Sequence, residues 1–283
     1  MKVAVIILNY NSSLDCRKCV SFLKKQREVE LEIVVVDNCS QAYDVEKLRQ
    51  LCKEYGCTLI ENHENRGYNA GNNIGLRYAA EKGYKYALIA NPDMEFPATN
   101  YIVTLVATIS QDSNVVVIGS NIIDADGQRQ SPRKFTTYYE ELFWIVNGLK
   151  KILGKKSSQI LKPQNQYCDI LMGSCIMVDI DFIKKISFFD ERVFLYCEEP
   201  ILGKQVAAAG KKMYYYHDIT AVHAHHENAK GSFVKRHDLY WRSRWYYLRY
   251  YTNYNSSQMF FMWISKKLFY IIKRLEFIFR GKK

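Results

Sequence analysis

The sequence predicts an α/β fold built on a mainly parallel, doubly wound sheet. Two observations support this prediction: short apolar runs alternate with segments of helical periodicity, and polar residues follow the ends of the apolar runs. The runs have the length and composition of buried strands. They are expected at Val3–Leu8, Glu32–Val36, Thr58–Glu61 and Tyr86–Ala90. Strands and helices that alternate at this spacing build a parallel sheet with helices on both faces.

Three helices are expected between these strands. Ser12 or Ser13 could cap the first, and Gly56 closes the second. The third follows a polar, glycine-rich loop, NHENRGYNAGNNIG. The expected ranges are Asp15–Lys25, Asp44–Tyr55 and Asn72–Lys82.

Polar groups follow three of the predicted strands. They begin at Asn9 (NYN), Asp37 (DNCS) and Asn91 (NPD). The carboxyl ends of parallel strands meet at one edge of a sheet, which is where open α/β sheets bind their ligands. Asp93, in the third group, could hold a divalent cation against a phosphate there. The alternative is a turn acid with no ligand.

The composition limits the classes of function. A net charge of +11 favours an anionic partner, such as a phosphate-bearing substrate, acidic lipid headgroups or nucleic acid. The spacing of Gly67, Gly71 and Gly75 is not that of a dinucleotide fingerprint, and no P-loop sequence is present. A dehydrogenase or an ATPase is therefore not expected. No recognition motif accompanies the charge, so no nucleic-acid partner is expected either.

The cysteines and the hydropathy predict a cytosolic protein. The eight cysteines are scattered, and the CxxC of Cys16 and Cys19 has no second pair at zinc-finger spacing. We expect reduced thiols. VAVIIL is too short for a signal peptide, and no run of about 18 apolar residues is available to span a membrane.

The second half of the chain has weaker signals, especially between residues 124 and 166. Further elements are expected at Asn100–Ser110 (helix), Val115–Ile118 (strand), Glu140–Leu153 (helix), Ile170–Asp179 (strand, broken at Gly173) and Lys212–Tyr216 (strand). A helix should also run to about Ala209, with Pro200 in its first turn. Its positive end would favour the ionised forms of Glu198 and Glu199. The alternative is that this pair only stabilises the helix terminus.

Seven motifs follow one another between residues 3 and 226: VAVIILNYN, EIVVVDNCS, ENRGYNAGNNIGLRYA, ALIANPD, MGSCIMV, FFDERVFLYCEE and AVHAHH. In this order they resemble family 2 glycosyltransferases, in particular the rhamnosyltransferase-like subgroup of bacterial polysaccharide assembly. The resemblance implies the GT-A fold, a Rossmann-like sheet with an acceptor-side extension. It also implies an inverting enzyme that transfers a sugar from a nucleotide-diphosphate donor.

The resemblance also implies roles for individual residues. Asn9 and Asn11 would border the nucleotide, Asp37 would bind the base or ribose, and residues 65–73 would close over the donor. The implied donor-binding residues are Asn9, Asn11, Asp37, Asn65, Arg66, Gly67, Asn69, Asn73, Asn91 and Asp93.

A metal site is implied at NPD, where related enzymes carry an aspartate-x-aspartate motif. Asp93 would bind Mg²⁺ or Mn²⁺, which would neutralise the leaving diphosphate. Asn91 replaces the first aspartate of that motif. His223 matches a histidine that approaches the diphosphate or the metal, and His225 and His226 are alternatives for that role.

The Glu198–Glu199 pair matches the family's glutamate-aspartate motif, whose second acid is the general base. By this correspondence Glu199 would deprotonate the acceptor hydroxyl. Glutamate replaces aspartate, and Pro200 is unusual after the pair, so Glu198 stays open as the base. The family's arginine-tryptophan motif is not clearly present, because Arg242, Arg244 and Trp245 lie in the right region but not in its pattern.

From about residue 240 the chain becomes basic and aromatic, and its last part has amphipathic helical periodicity. We expect a GT-A domain over 1–239, divided into a nucleotide-sugar half (1–123) and an acceptor and catalytic-base half (124–239), and a helical region over 240–283. The basic helix suits an anionic membrane surface. The alternative is that it packs on the enzyme's own core or on a second subunit, as in a homo-oligomer.

The implied function is transfer from a UDP- or dTDP-sugar to a glycan or lipid-linked acceptor in cell-surface polysaccharide synthesis. The implied location is the cytoplasmic face of the cell membrane. The alternative is a protein that binds sugar nucleotides without catalysis. The sequence does not identify the donor, the acceptor or the linkage.

Overall fold

The computed structural model describes residues 2–143, 161–224 and 233–280, with side chains in the last stretch described for residues 236–272. The strands are β1 (Lys2–Asn9), β2 (Glu30–Asp37), β3 (Thr58–Glu61), β4 (Tyr86–Ala90), β5 (Met94–Glu95), β6 (Val115–Asp124), β7 (Gln166–Cys168), β8 (Cys175–Asp179) and β9 (Lys212–His223). The helices are α1 (Ser13–Leu23), α2 (Ala42–Tyr55), α3 (Tyr68–Glu81), α4 (Tyr101–Ile109), α5 (Tyr138–Leu142), α6 (Ile180–Lys185), α7 (Glu198–Ala208), α8 (Phe233–Tyr251) and α9 (Ser256–Arg280).

One sheet runs through the molecule in the order β3-β2-β1-β4-β8-β6-β9-β5, and β7 pairs with β9 at the side. The first four strands are parallel, as predicted. In the second half β8 runs antiparallel to β4 and β6, while β6 and β9 pair in parallel. The register places Asn9 opposite Asp37, so the polar ends of β1 and β2 are adjacent.

Helices cover both faces of the sheet, which confirms the doubly wound architecture. Along β1, Val3, Val5 and Ile7 face a core formed with α1, α2 and α4. The alternate residues Ala4 and Ile6 face a second core formed with α3, α6 and α7. Because neighbouring residues of a strand point to opposite faces, the continuous apolar run of β1 fills both cores.

Several element bounds differ from the prediction. Helix α3 begins at Tyr68 rather than Asn72, so most of the predicted glycine-rich loop is helical. Strands β6 and β9 extend well beyond Ile118 and Tyr216 because they pair with each other along most of their length. Strand β8 begins only at Cys175, and Gly173 lies in the irregular segment before it. The predicted helix at Glu140–Leu153 is observed as α5, and residues 144–160 lie outside the described part.

The C-terminal region is helical, as predicted, and packs on the domain. A small core joins the start of α7 to α8 and α9 and consists of Val193, Cys197, Ile201, Tyr247, Leu248 and Met262. The predicted boundary at residue 239 falls inside α8, so the division into domains stays a prediction. No described helix combines the length and apolar character that crossing a bilayer requires.

Candidate active site

The ends of β1 and β2 form a buried polar network. The Asn9 amide donates to Asp37 Oδ1 at 3.2 Å, to Ser40 Oγ at 3.1 Å and to Asp44 Oδ2 at 2.9 Å. Asp37 Oδ2 accepts a hydrogen bond from the Ser40 amide at 3.0 Å. Asn9 and Asp37 are both buried, so these contacts fix the carboxylate at the sheet edge.

Asn11 shapes the turn after β1. It has a φ of 54°, in the left-handed region that asparagine tolerates better than most residues. Its side-chain oxygen accepts a hydrogen bond from the Gln41 amide at 2.8 Å, and its own amide donates to Ser40 Oγ. The turns after β1 and β2 therefore hold each other in place.

The segment before α3 is attached to the end of β2. The Asn38 amide donates to Asn65 Oδ1 at 3.0 Å, which also accepts from the backbone amide of Gly67. Gly67 has a φ of 101°, and a Cβ placed there would lie 2.3 Å from the carbonyl oxygen of Phe194. Only glycine allows this approach, which brings residues 187–197 against the start of α3.

Three predicted donor-binding residues contact that same 187–197 segment. The Asn69 amide donates to the carbonyl of Asp190 at 2.8 Å. The Asn73 amide donates to the Phe189 carbonyl and to the Glu191 carboxylate. Arg66 is exposed and lies 3.4 Å from the Glu191 carboxylate. Asn69 and Asn73 are buried, so in this structure they support the segment that leads to the acid pair.

Asp190 anchors this segment to α8. Its carboxylate accepts hydrogen bonds from the hydroxyls of Tyr246 and Tyr251 at 2.7 and 2.6 Å, and from Arg192. Burial opposes its ionisation, but these donors outweigh burial and hold the pKa of Asp190 at about 2. The anchor therefore stays ionised near neutral pH.

Tyr68 joins Asn91, which follows β4, to Gly173, the residue against which Glu199 lies. Its hydroxyl donates to the Gly173 carbonyl at 2.8 Å and lies 3.1 Å from Asn91 Oδ1. Burial, followed by the negative charges of Glu198 and Glu199, raises the pKa of this phenol, which therefore stays protonated.

Asp93 and His223 lie together at the end of the sheet. His223 Nε2 is 3.2 Å from Asp93 Oδ1, and both side chains are mostly buried. The pairing of β5 with β9 brings them together, with Met94 opposite His223. His223 Nδ1 is 3.2 Å from the side-chain oxygen of Gln130, which orients the ring. His225 and His226 lie outside the described residues.

This pair fits part of a divalent metal site. A carboxylate and an imidazole are ordinary ligands of Mn²⁺, and Mg²⁺ is commonly held by one or two carboxylates together with substrate phosphates. The structure brings together no cluster of three or more His, Cys, Asp or Glu suited to a metal within its described ranges. Glu95, the next acid, pairs instead with Lys18.

Glu198 and Glu199 begin α7 after two residues in the left-handed region, Tyr196 at φ 73° and Cys197 at φ 66°. Such strained positions are frequent at functional sites. The glutamates differ in environment. The expectation that the helix end favours the ionised form is wrong for Glu198, because burial, followed by the charge of Glu199, raises its pKa to about 7. Its Oε1 has no hydrogen-bond partner among the described residues.

Glu199 is partly exposed and lies beside Gly173. Its side chain keeps 23% of its exposure, and one oxygen lies 4.0 Å from Arg133. The Gly173 amide donates to the same oxygen at 3.4 Å, and the Glu199 Cγ lies 3.3 Å from the position of a Cβ at Gly173. The absence of a side chain at Gly173 thus lets the carboxylate lie against the backbone. This arrangement suits a base that meets a substrate hydroxyl.

Sequence reasoning missed several residues that build the site, namely Asn38, Asp44, Tyr68 and Gln130. Asn38 and Tyr68 lie inside the motifs EIVVVDNCS and ENRGYNAGNNIGLRYA, but their type and position carry no separate signal. Asp44 has the pattern of a helix start and nothing more, and Gln130 lies in the weakly patterned region. Long-range pairing decides the contacts of all four.

Comparison with known proteins agrees with this architecture. Residues 4–185 match the profile of the family described as Glycosyl transferase family 2. A low-salt glycan biosynthesis hexosyltransferase of Haloferax volcanii is 31% identical over 200 residues, which cover 70% of this chain and 59% of that relative. A rhamnosyltransferase of Escherichia coli K12 is 25% identical over 256 residues, which cover 87% of this chain and 92% of the relative.

Solved structures share the fold. A mannosyltransferase of Pyrobaculum calidifontis, solved with GDP-Man and Mn²⁺, superposes with a TM-score of 0.60 at 16% identity and covers 93% of this chain and 68% of its own. TarS of S. aureus with UDP-GlcNAc also gives 0.60, at 15% identity, over 93% of this chain and 70% of its own. The polar sheet edge, the fold and the family match lead to one conclusion: the chain is a glycosyltransferase of family 2 with the GT-A fold.

Proposed function

We propose that this enzyme is an inverting glycosyltransferase that moves a sugar from a nucleotide-diphosphate donor to a hydroxyl of a glycan or lipid-linked acceptor. The observation that carries the proposal is the link between the two halves of the site. Tyr68 contacts both Asn91, beside the Asp93–His223 pair, and Gly173, against which Glu199 lies. A diphosphate near Asp93 and a hydroxyl near Glu199 would then lie on either side of the anomeric carbon.

The nucleotide would occupy the polar edge formed by β1 and β2. The Asp37 carboxylate, held by Asn9 and Ser40, would accept a hydrogen bond from the base or the ribose of the nucleotide. Asn11, Asn65, Arg66 and Gly67 lie on the surrounding turns. Asn69 and Asn73 would act indirectly, by holding the 187–197 segment.

Asp93 and His223 would hold Mg²⁺ or Mn²⁺. When bound, the metal supplies positive charge that neutralises the leaving diphosphate. Glu199 would accept the proton of the acceptor hydroxyl while the hydroxyl oxygen forms its bond to the anomeric carbon. The bond between that carbon and the diphosphate oxygen breaks in the same displacement, so the configuration inverts and a nucleoside diphosphate leaves.

Relatives suggest the substrates. The matches include a dTDP-rhamnosyl transferase of Shigella flexneri and an N-acetylglucosaminyl-diphospho-decaprenol L-rhamnosyltransferase of Mycobacterium tuberculosis. We therefore propose a UDP- or dTDP-sugar as donor and a lipid-linked glycan as acceptor, in cell-surface polysaccharide synthesis.

A lipid-linked acceptor would require the enzyme to work at the cytoplasmic face of the membrane. Helix α9 presents an exposed apolar surface formed by Phe260, Phe261, Ile264, Leu268 and Ile271. Such a surface on a basic chain suits peripheral contact with an anionic bilayer. Ile264→Asp should lower sedimentation with anionic vesicles, whereas Leu14→Asp, at an exposed leucine of α1, should not. Equal sedimentation of both variants and the parent chain would contradict membrane contact through α9.

The test of the enzyme is a donor panel. UDP-, dTDP- and GDP-sugars are screened by thermal shift with and without Mn²⁺, and each stabilising donor is then tested for transfer and hydrolysis. We expect Mn²⁺ to strengthen donor binding, and Asp93→Asn to remove that increase. Asp126→Asn, at an exposed turn, is the matched control. Donor binding without turnover under any condition would favour the rival function, a sugar-nucleotide-binding protein without catalysis.

A further inference from the structure

A groove of about 400 Å³ lies between α8 and α9, outside the site described above. Three of the four tryptophans in the protein line it, Trp241 and Trp245 from α8 and Trp263 from α9. Indole rings are favoured where an apolar phase meets water, because the ring is apolar and its N–H is a donor. Three tryptophans in one groove suggest a ligand that has an apolar part and a polar part.

The groove also carries unbalanced positive charge. Lys266 lies 3.1 Å from the Glu141 carboxylate, which also pairs with Arg244, so one buried acid serves two cations. Burial lowers the pKa of the Lys266 ammonium, because its pairing with Glu141 does not fully replace the lost hydration. Lys267 is exposed, with its ammonium 5.6 Å from the Trp263 ring centre. An anion bound here would be attracted by the ammonium groups of both Lys266 and Lys267.

A second, more open groove adjoins the first along α8. Trp241 and Trp245 line both grooves, and the second adds Arg242 and Arg249. The described charged residues that line the two grooves are four cations, Lys266, Lys267, Arg242 and Arg249, and one acid, Asp238. The electrostatic potential over this face is therefore positive.

The groove is continuous with the apolar surface of α9. Trp263 is 48% exposed and stacks on Phe260, with ring centres 6.5 Å apart. Phosphate groups in a bilayer lie at the boundary between water and the acyl chains. A protein whose apolar face meets the chains would bring the adjacent cations to the level of those phosphates.

We propose that the groove between α8 and α9 binds the phosphate headgroup of an anionic membrane lipid. The tryptophans would pack against the glycerol and upper acyl region, and Lys267, with Lys266 behind it, would contact the phosphate. This site rests on the proposed membrane contact and specifies its chemistry. None of its described lining residues is a proposed donor-binding or metal-binding residue or the proposed base, so we expect sugar transfer to a water-soluble acceptor to be independent of it.

The test compares Lys267→Gln with Lys47→Gln in the full chain. The two lysines are a matched pair, because each is exposed on a helix and lies over the aromatic ring four residues before it, Tyr43 in the case of Lys47 at 5.4 Å. Sedimentation is measured with vesicles of phosphatidylcholine alone and of phosphatidylcholine mixed with phosphatidylglycerol. One basic residue near an anionic membrane surface contributes about 1 kcal/mol to the binding free energy. The Lys267→Gln variant should therefore bind the mixed vesicles about fivefold more weakly than the parent chain. Lys47→Gln should bind them like the parent chain.

Tryptophan emission separates a lipid headgroup from a free phosphate. Mixed vesicles should shift the emission to shorter wavelength, and inorganic phosphate at the same phosphate concentration should not. If inorganic phosphate reproduces the shift, the groove is a site for soluble anions and the lipid assignment is wrong. Equal binding of the parent chain to neutral and mixed vesicles, or equal binding by Lys267→Gln and the parent, overturns the headgroup site but leaves membrane contact standing. If the parent chain binds neither vesicle, both proposals fail, while sugar transfer is judged by the donor panel.

Discussion

Replacing Glu198 with glutamine should stabilise the protein at alkaline pH. Glu198 lies in the first turn of α7 with a buried oxygen, and burial together with the charge of Glu199 raises its pKa to about 7. A small cavity of about 20 Å³ also borders Gln205, whose side-chain oxygen has no hydrogen-bond partner within the described chain. A glutamine at 198 carries no charge, and its side-chain amide can donate a hydrogen bond towards the Gln205 oxygen.

The magnitude follows from the difference between the ordinary value of 4.5 and the folded pKa of about 7. Because the folded pKa is raised, the folded state binds the proton more tightly, and stability is lost as the pH rises from 4.5 to 7. At about 1.4 kcal/mol for each tenfold difference, the cost of ionised Glu198 above pH 7 is roughly 3 kcal/mol. At pH 5 most of this cost is absent, because the carboxyl is protonated in the folded state.

The assay is thermal unfolding of the parent chain, Glu198→Gln and Glu81→Gln at pH 5 and pH 8. Glu81 is exposed at the end of α3 and serves as the control. A gain of roughly 3 kcal/mol should raise the midpoint of Glu198→Gln by roughly 5–10 °C at pH 8 and by much less at pH 5. An equal gain at both pH values would contradict this prediction, because it would show that the gain does not come from the ionisation of Glu198.

Two further changes test packing near the site. Gly67→Ala should lower the free energy of unfolding by more than about 2 kcal/mol, because the added Cβ meets a backbone carbonyl at 2.3 Å. Gly83→Ala, where φ is 74° and no atom lies within 4 Å of the added Cβ, should cost only about 1 kcal/mol in thermal unfolding. Similar costs for both would mean that the close contact is unimportant. Arg244→Met should lower the free energy of unfolding in urea by about 3 kcal/mol, because the buried Glu141 loses its arginine partner. Arg17→Met removes only an exposed ion pair with Glu54 and should cost less than about 1 kcal/mol. Equal midpoints for the two arginine variants would contradict the importance of the buried pair.

The parallel half of the fold could be predicted because its signals are local. Apolar runs such as Val3–Leu8 are buried on both faces, and polar residues mark where they stop. The start of α3 was predicted four residues too late, since asparagine and glycine are poor helix formers. Contacts of Asn69 and Asn73 with the 187–197 segment hold the first two turns of α3, and these contacts cannot be read from local sequence.

The site could be predicted in outline but not in its contacts. The sequence indicated that Asp93 ends a strand, yet its approach to His223 depends on the pairing of β5 with β9 across more than a hundred residues. The adjacent acids at 198 and 199 are chemically identical in sequence. Only the fold distinguishes them, because it buries one carboxylate oxygen of Glu198 and leaves Glu199 beside Gly173.

The identity of the general base can be tested by comparing sugar transfer by Glu199→Gln and Glu198→Gln, each with a stabilising donor, Mn²⁺ and a soluble acceptor. Loss of a general base lowers the rate by about 10²–10⁴-fold. We expect Glu199→Gln to lose transfer by that factor while donor binding is kept, and Glu198→Gln to keep most of its rate. Loss of transfer in Glu198→Gln with near-normal transfer in Glu199→Gln would contradict the assignment of the base.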